Sequence, residues 1–98
     1  MDKCTCNKIK IREKAERKAL LNRLARIEGQ LRGIRSMVEN NAYCPDILTQ
    51  TAAVNAAIDA FSRALLASHI RSCVTEDIRQ GKDEVVDELL SLLRKMMH

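Results

Sequence analysis

The chain has 98 residues and a net charge of +4, and only 2% of its residues are aromatic. A chain of this length forms one domain with a modest core, so oligomerisation is expected from the outset. It contains no run of 18 apolar residues and no apolar signal segment near its polar N-terminus. We therefore expect a cytoplasmic protein that does not cross a membrane.

The positive charge is concentrated in the first third of the chain. Residues 1–35 contain 11 Lys or Arg and 4 Asp or Glu, whereas residues 36–98 contain 6 and 9. A basic segment of this kind favours a polyanion such as nucleic acid as the partner, although a solvated helix face has the same composition. Because aromatic residues are scarce, we expect no base-stacking platform for single strands.

A polar tail of residues 1–11 opens the chain, and we expect it to be flexible. Residues 12–98 are predicted to form a single helical domain. Within it, apolar residues recur every three or four positions and predict an amphipathic helix over about residues 12–39. Asn40 and Asn41 are expected to end this helix because Asn tolerates the left-handed conformation of a turn. The apolar stripe comprises Leu20, Leu24, Ile27, Leu31, Ile34 and Val38.

A second long helix is predicted to begin at the segment Cys44, Pro45, Asp46. Proline fits the first helical position, and aspartate places negative charge in the first turn. The helix is expected to continue to about Arg79 and to stop at Gly81. Its apolar stripe comprises Ile47, Thr51, Val54, Ile58, Phe61 and Leu65.

A short third helix follows, and Asp83 is positioned to cap it. The three helices cannot bury their apolar stripes within one chain. The predicted fold class is therefore all-α, with two chains pairing their long helices into an antiparallel four-helix bundle. The third helices would then be free for further assembly. Their apolar residues are Val85, Val86, Leu89, Leu90 and Leu93.

His69 and Cys73 are four residues apart on the second predicted helix, so both side chains lie on one helix face. This spacing suits two ligands of one metal, although such residues on an apolar helix more often belong to the core. In a cytoplasmic protein, thiols are kept reduced, which favours reactive or metal-binding cysteines over a disulfide framework.

Cys44 stands at the start of the same helix, 25 residues before His69. At about 1.5 Å per residue, the two positions are separated by roughly 37 Å. One chain therefore cannot bring Cys44 to His69 and Cys73. In an antiparallel dimer, the start of one second helix lies beside the end of its partner, so the site would be shared between two subunits.

Two thiolates and one imidazole form a soft donor set of low coordination number, which favours Cu(I). Zinc would require a fourth ligand but stays open. Nickel or cobalt would prefer more nitrogen ligands. A sensor of persulfides or electrophiles, in which Cys44 and Cys73 react or bridge, also stays open.

Several motifs of the chain resemble the CsoR/RcnR/FrmR family of bacterial repressors. The motifs are RIEGQLRGI at residues 26–34, MVE at residues 37–39 and YCPDIL at residues 43–48, followed by Leu, His, Cys and Val within residues 66–74. The resemblance extends over about residues 15–95.

Within that family, the Cys, His, Cys pattern is similar to the copper-sensing branch. The nickel- and cobalt-sensing branch has His where Cys73 stands and an additional N-terminal His, and this chain has neither. The persulfide-sensing branch lacks a counterpart of His69. The formaldehyde-sensing branch pairs its counterpart of Cys44 with an N-terminal proline that is missing here.

The resemblance implies a homodimer of antiparallel helices, two of which form a flat homotetramer. It also implies binding of double-stranded operator DNA without a helix-turn-helix, and release of that DNA on Cu(I) binding to derepress copper efflux genes. Tyr43 and a glutamate of the last helix match two groups that, in this family, are linked to the metal site without binding the metal themselves. Glu88 is our choice for that glutamate, with Glu84 as the competitor.

Basic residues of the first helix, with one from the second, are the candidate DNA contacts. Arg17, Lys18 and Arg23 are favoured because they lie within the family-like region. The full candidate set is Arg12, Lys14, Arg17, Lys18, Arg23 and Arg63.

Other functions are weighed against this interpretation. A persulfide- or zinc-sensing repressor of the same family is one, and a cytoplasmic copper chaperone or buffer is another, although a chaperone has no need of the basic segment. An enzyme is not expected, since the sequence has no paired carboxylates, activated serine or phosphate loop. Cys4 and Cys6 in the tail depart from the family pattern and could add a ligand or deliver copper.

Overall fold

The computed structural model describes residues 3–4 and 10–97 of the chain. The helical fold class predicted from the sequence is confirmed over these residues, apart from one pair of two-residue strands. No helix in this part is long and apolar enough to cross a membrane. The elements are β1 (Lys3–Cys4), β2 (Lys10–Ile11), α1 (Lys14–Glu39), α2 (Cys44–His69), a π-helical turn (Ile70–Val74), α3 (Thr75–Arg79) and α4 (Glu84–Met96).

The chain divides into two compact units. One consists of Lys14–Ala64 and contains α1 and most of α2. The other consists of Met1–Glu13 together with Leu65–His98, so that it joins the N-terminal segment to the C-terminal helices.

The end of α1 is set by a residue in the left-handed conformation, as the sequence predicts. Asn41 has a φ of 55°. Its backbone N–H donates to the carbonyl of Val38 at 3.2 Å, and the N–H of Ala42 donates to the carbonyl of Met37 at 2.9 Å. These two bonds satisfy carbonyls of the last helical turn in the Schellman pattern.

The start of α2 lies one residue earlier relative to its proline than predicted. The carbonyl of Tyr43 accepts hydrogen bonds from the N–H groups of Asp46 at 3.0 Å and Ile47 at 3.2 Å. Cys44 is therefore the first helical residue, and Pro45 is the second rather than the first. The proline still fits, because N–H groups in the first turn have no partner within the helix.

The second helical segment reaches residue 79 as predicted, but it is not α-helical throughout. α2 ends at His69, and a π-helical turn carries the chain to α3. The hydroxyl of Thr75 donates to the carbonyl of Ile70, five residues earlier, at 2.7 Å. The backbone N–H of Thr75 has the same acceptor. This i to i−5 spacing defines the wider π geometry, which is frequent at functional sites.

Gly81 ends α3 as predicted, with a φ of 79°. Its N–H donates to the carbonyl of Ile78 at 3.0 Å, and the N–H of Lys82 donates to the carbonyl of Asp77 at 2.9 Å. Asp83 stands at the predicted cap position of the last helix but does not cap it with its side chain. Asp83 precedes α4, but its side chain makes no capping hydrogen bond.

The N-terminal segment contains a short strand pair that the sequence pattern did not predict. β1 and β2 pair antiparallel, with Lys3 opposite Ile11 and Cys4 opposite Lys10. β1 also lies against the π-helical turn, with Cα atoms of the two segments within 8 Å. Residues 1–2 and 5–9 of the tail lie outside the described residues.

The apolar stripes of α1 and α2 are only partly buried within the chain. Ile27 on α1 and Val54 on α2 are buried, at 7% and 4% exposed. The remaining stripe residues are half-buried or exposed. Exposed members of the two stripes are Leu24, Leu31, Val38, Thr51 and Ile58.

Candidate metal centre and nucleic-acid interface

The two C-terminal candidate ligands stand on either side of a change in helix geometry. His69 is the last residue of α2, and Cys73 lies within the π-helical turn that follows. The His69 side chain is half-buried. Their spacing of four residues was predicted on an α-helix, and the π-helical turn gives their side chains a different angular offset.

The Cys73 side chain is buried, at 8% exposed, and its sulfur is disulfide-bonded. The hydroxyl of Ser72 lies 3.8 Å from this sulfur and also donates to the carbonyl of Ser68 at 2.9 Å. The sequence predicts a reduced, reactive or metal-binding thiol at this position, whereas the structure has a disulfide. The disulfide shows that Cys73 has a neighbouring thiol within its own chain.

Cys44, the third candidate ligand, is the first residue of α2 and a free, exposed cysteine. Tyr43 stands beside it at the helix start and is 72% exposed. Glu84 and Glu88, the two candidates for the outer-shell carboxylate, are both exposed on α4.

Over the described residues of one chain, no three or more His, Cys, Asp or Glu side chains are grouped in a way that could hold a metal ion. The donor set predicted from the sequence is thus distributed between the first residue of α2 and the segment around its end. Chemically, two thiols and one imidazole suit a soft cation of low coordination number.

Five of the six candidate DNA contacts are exposed and belong to the unit formed by Lys14–Ala64. Arg12 is half-buried, precedes α1 and belongs to the other unit. The three favoured residues, Arg17, Lys18 and Arg23, are among the exposed five. The exposed five are Lys14, Arg17, Lys18, Arg23 and Arg63.

Helix geometry separates the α1 candidates into two faces. With about 100° of rotation per residue, Lys14, Arg17 and Lys18 lie within an arc of about 100°, whereas Arg23 points about 180° away from Lys14. Arg32 is exposed and lies five full turns from Lys14 on the same face of α1. It is not among the candidates predicted from the sequence. The helical period of 3.6 residues was the signal that could have found it.

The chain matches the family model of metal-sensitive transcriptional repressors over residues 16–95. It is 47% identical over 81 residues to the copper-sensing transcriptional repressor CsoR of Bacillus subtilis (strain 168), an alignment that covers 82% of this chain and 80% of the relative.

Two solved structures share the fold. The copper-sensing repressor CsoR with Cu(I) from Geobacillus thermodenitrificans NG80-2 has a TM-score of 0.83 at 42% identity, covering 87% of this chain and 90% of that chain. The nickel-responsive transcriptional regulator InrS has a TM-score of 0.71 at 38% identity, covering 82% of this chain and 91% of that chain.

The chain belongs to the family of metal-sensitive transcriptional repressors, as its motifs indicated. The copper-sensing relatives support its assignment to the copper-sensing branch of that family. Members of this family are regulators rather than enzymes, which confirms the expectation that the chain is not an enzyme.

Proposed function

We propose that this chain is a copper(I)-responsive repressor that acts in the cytoplasm. It binds operator DNA when metal-free and releases it when Cu(I) binds, which derepresses copper efflux genes. The observation that carries the proposal is the coincidence of two findings. The chain is 47% identical to a copper-sensing repressor, and it carries a cysteine at the start of α2 with a histidine and a second cysteine at and just beyond its end.

The proposed ligands are Cys44 of one subunit with His69 and Cys73 of its partner. Cys44 is the first residue of α2 and His69 the last, so the helix itself keeps them apart within one chain. An antiparallel arrangement of two α2 helices brings opposite ends together and forms two equivalent sites. Cu(I) supplies a soft, closed-shell centre that three such donors satisfy.

Apolar surface supports assembly into dimers and then tetramers. Leu31 and Val38 on α1 and Ile58 on α2 are exposed although they belong to the apolar stripes. The amide oxygen of Gln30 is buried without a hydrogen-bond partner among the described residues. An unpaired buried acceptor of this kind costs about 1–3 kcal/mol.

The basic face of α1 is the proposed DNA contact, with Lys14, Arg17 and Lys18 as its centre. Arg23 lies on the opposite face of α1, so it would contact a phosphate backbone only from another direction. Arg63 on α2 and Arg12 before α1 remain the other candidates. Side chains of this kind contact phosphates and position the protein without reading the base sequence. Binding therefore weakens steeply as the salt concentration rises.

Ligation is proposed to act on DNA affinity by shifting a conformational equilibrium. His69 and Cys73 flank the start of the π-helical turn, so holding both in one site fixes the geometry of that turn. Tyr43 beside the first cysteine and Glu88, or Glu84, on α4 would transmit the change as outer-shell groups. The metal must favour the low-affinity state by a few kcal/mol to release DNA.

Anaerobic titration with Cu(I) against a competing chelator tests the metal site, with Zn(II), Ni(II) and a persulfide donor as parallel arms. A mobility-shift assay with the DNA upstream of the protein's own gene tests the repressor. We expect tight Cu(I) binding with one ion per chain, and loss of the DNA complex on addition of Cu(I) alone. Release of DNA by zinc or persulfide instead of Cu(I) would support a zinc- or persulfide-sensing repressor of the same family. Absence of any DNA complex would support a copper chaperone or buffer.

A further inference from the structure

The N-terminal segment brings a second thiol source to the segment that holds Cys73. The backbone of β1, which includes Cys4, lies against the π-helical turn, with Cα atoms of the two segments within 8 Å. Cα atoms joined by a disulfide are usually about 4.4–6.8 Å apart, so a bridge requires segments that approach each other closely, as these two do. Antiparallel pairing with β2 holds Cys4 in register opposite Lys10.

The bonding state of the cysteines agrees with this placement. Cys73 is disulfide-bonded and Cys44 is free. Besides these two, the sequence contains Cys4 and Cys6. Cys4 belongs to the strand that contacts the π-helical turn.

We propose that Cys4 and Cys73 form a redox-active thiol pair within one chain, and that hydrogen peroxide is its oxidant. A disulfide in a cytoplasmic protein is usually transient and redox-sensing rather than structural. The pair differs from the bridge between Cys44 and Cys73 of two subunits that a persulfide sensor of this family would form.

The oxidation balances with one peroxide per pair. One thiolate attacks an oxygen of hydrogen peroxide, the O–O bond breaks, and a sulfenic acid and hydroxide result. The second thiolate attacks the sulfenic sulfur, the S–O bond breaks, and a second hydroxide leaves. Two electrons pass from the sulfurs to the peroxide, and the two thiol protons convert both hydroxides to water.

The pair also deepens the proposed function, on which this consequence rests. A sulfur in a disulfide is no longer a thiolate, and the thiolate is the form that ligates metal. Oxidation would therefore remove Cys73 from the copper donor set, so that the repressor stays on its operator in the presence of copper. Reduction of the disulfide would restore the response.

Peptide mapping of the full chain tests the pair. The reduced, metal-free protein is treated with one equivalent of hydrogen peroxide per chain, alkylated and digested with trypsin without reductant. We expect a disulfide between the peptides of residues 4–8 and residues 72–79. The link should disappear in Cys4→Ser and persist in the matched variant Cys6→Ser and in Cys44→Ser.

Three results would contradict the proposed Cys4–Cys73 pair. These are a link that is lost in Cys6→Ser but kept in Cys4→Ser, a link from Cys73 to residues 36–63, and no link from Cys73 at all.

A Cu(I) titration then separates the redox pair from the proposed function. We expect oxidation to lower Cu(I) affinity at least tenfold in the wild type, reversibly with dithiothreitol, and to leave Cys4→Ser unchanged. If the reduced protein binds Cu(I) but no link forms, the redox pair alone is wrong. If the link forms but the reduced protein does not bind Cu(I), the proposed function alone is wrong.

Discussion

Two residues with left-handed backbone conformation set the ends of helical segments in this chain. Asn41 ends α1 with a φ of 55°, and Gly81 ends α3 with a φ of 79°. Each is followed by the same pair of backbone hydrogen bonds back to the helix. A Cβ atom raises the energy of this conformation, and Asn is among the few residues with a side chain that adopt it regularly. The two positions should therefore respond in opposite directions to substitution.

We expect Gly81→Ala to lower the free energy of unfolding by about 1–2 kcal/mol, because alanine in the left-handed region is strained. The matched change Asn41→Gly should leave stability unchanged or raise it by a few tenths of a kcal/mol, because glycine carries no such strain. Urea unfolding followed by circular dichroism at one protein concentration measures both. Equal destabilisation by the two variants would contradict this account of the helix ends.

His69 also has a specific expected role, which depends on its imidazole. We expect His69→Ala to keep bound Cu(I) through two thiolates but to lose DNA release, because the link between the metal and the end of α2 is broken. The chain offers His98→Ala as a matched control for the loss of one imidazole. Cu(I) titration and a mobility-shift assay read the two properties separately, and normal derepression in His69→Ala would refute this role.

At the scale of elements, the π-helical turn is the feature that distinguishes the second helical segment from a plain α-helix. The carbonyl of Ile70 accepts from both the backbone N–H and the hydroxyl of Thr75. Cys73 lies within this turn and His69 immediately before it. The offset between the two candidate ligands therefore depends on a hydrogen bond made by a threonine outside the ligand set.

We expect Thr75→Val to weaken Cu(I) binding roughly fivefold, since the lost hydroxyl bond contributes about 1 kcal/mol to the ligand geometry. Thr51→Val is the matched control, because the Thr51 hydroxyl donates to the carbonyl of Ile47 at 3.0 Å, about two helical turns from Cys44 and far from the π-helical turn along the sequence. Competition titration with a Cu(I) chelator measures both affinities. Equal Cu(I) affinities in the two variants would show that the turn does not set the ligand geometry.

The basic face of α1, centred on Lys14, Arg17 and Lys18, is expected to contact DNA phosphates as a unit. We expect the double change Lys14→Gln, Lys18→Gln to reduce the slope of log K against log salt by about 2, because each lost phosphate contact contributes about 0.9. Lys95→Gln, on α4, should leave the slope unchanged. DNA titrations at several salt concentrations measure the slope. An unchanged slope in the double variant would exclude this face as the phosphate contact.

The whole molecule is expected to be an oligomer, because one chain leaves much of its apolar stripes exposed. Leu31 lies on the stripe of α1 and is 50% exposed, whereas Leu21 lies outside the stripe and is 56% exposed. The two leucines therefore present similar apolar area but differ in their predicted contact with a second chain. Burial of half a leucine in each of two chains stabilises a dimer by about 2 kcal/mol.

We expect Leu31→Asn to raise the dimer dissociation constant roughly thirtyfold, as that free energy implies. Leu21→Asn should have a much smaller effect. Sedimentation over a range of protein concentrations measures both constants. Greater dissociation in Leu21→Asn than in Leu31→Asn would place the interface on a different face of α1.

The three helical segments and the helix ends at Asn41 and Gly81 were predictable from the sequence. So was the family, since its motifs lie at fixed spacings along the chain. These features depend on interactions between residues a few positions apart, such as the 3.6-residue period and the conformational limits of single residues. The candidate ligands Cys44, His69 and Cys73 were likewise visible as residue types at helical spacings.

Tertiary structure alone decided the short pairing of β1 with β2, the contact of β1 with the π-helical turn, and the bonding of Cys73. The contact of β1 with the π-helical turn joins segments that are about 70 residues apart along the chain, and such a contact leaves no periodic trace in the sequence. β1 and β2 are nearer in sequence, but strands of two residues are too short to show an alternating pattern. The order of the residues specifies which groups are available for chemistry. The fold determined which of them meet, because proximity between distant segments is a property of packing rather than of local propensity.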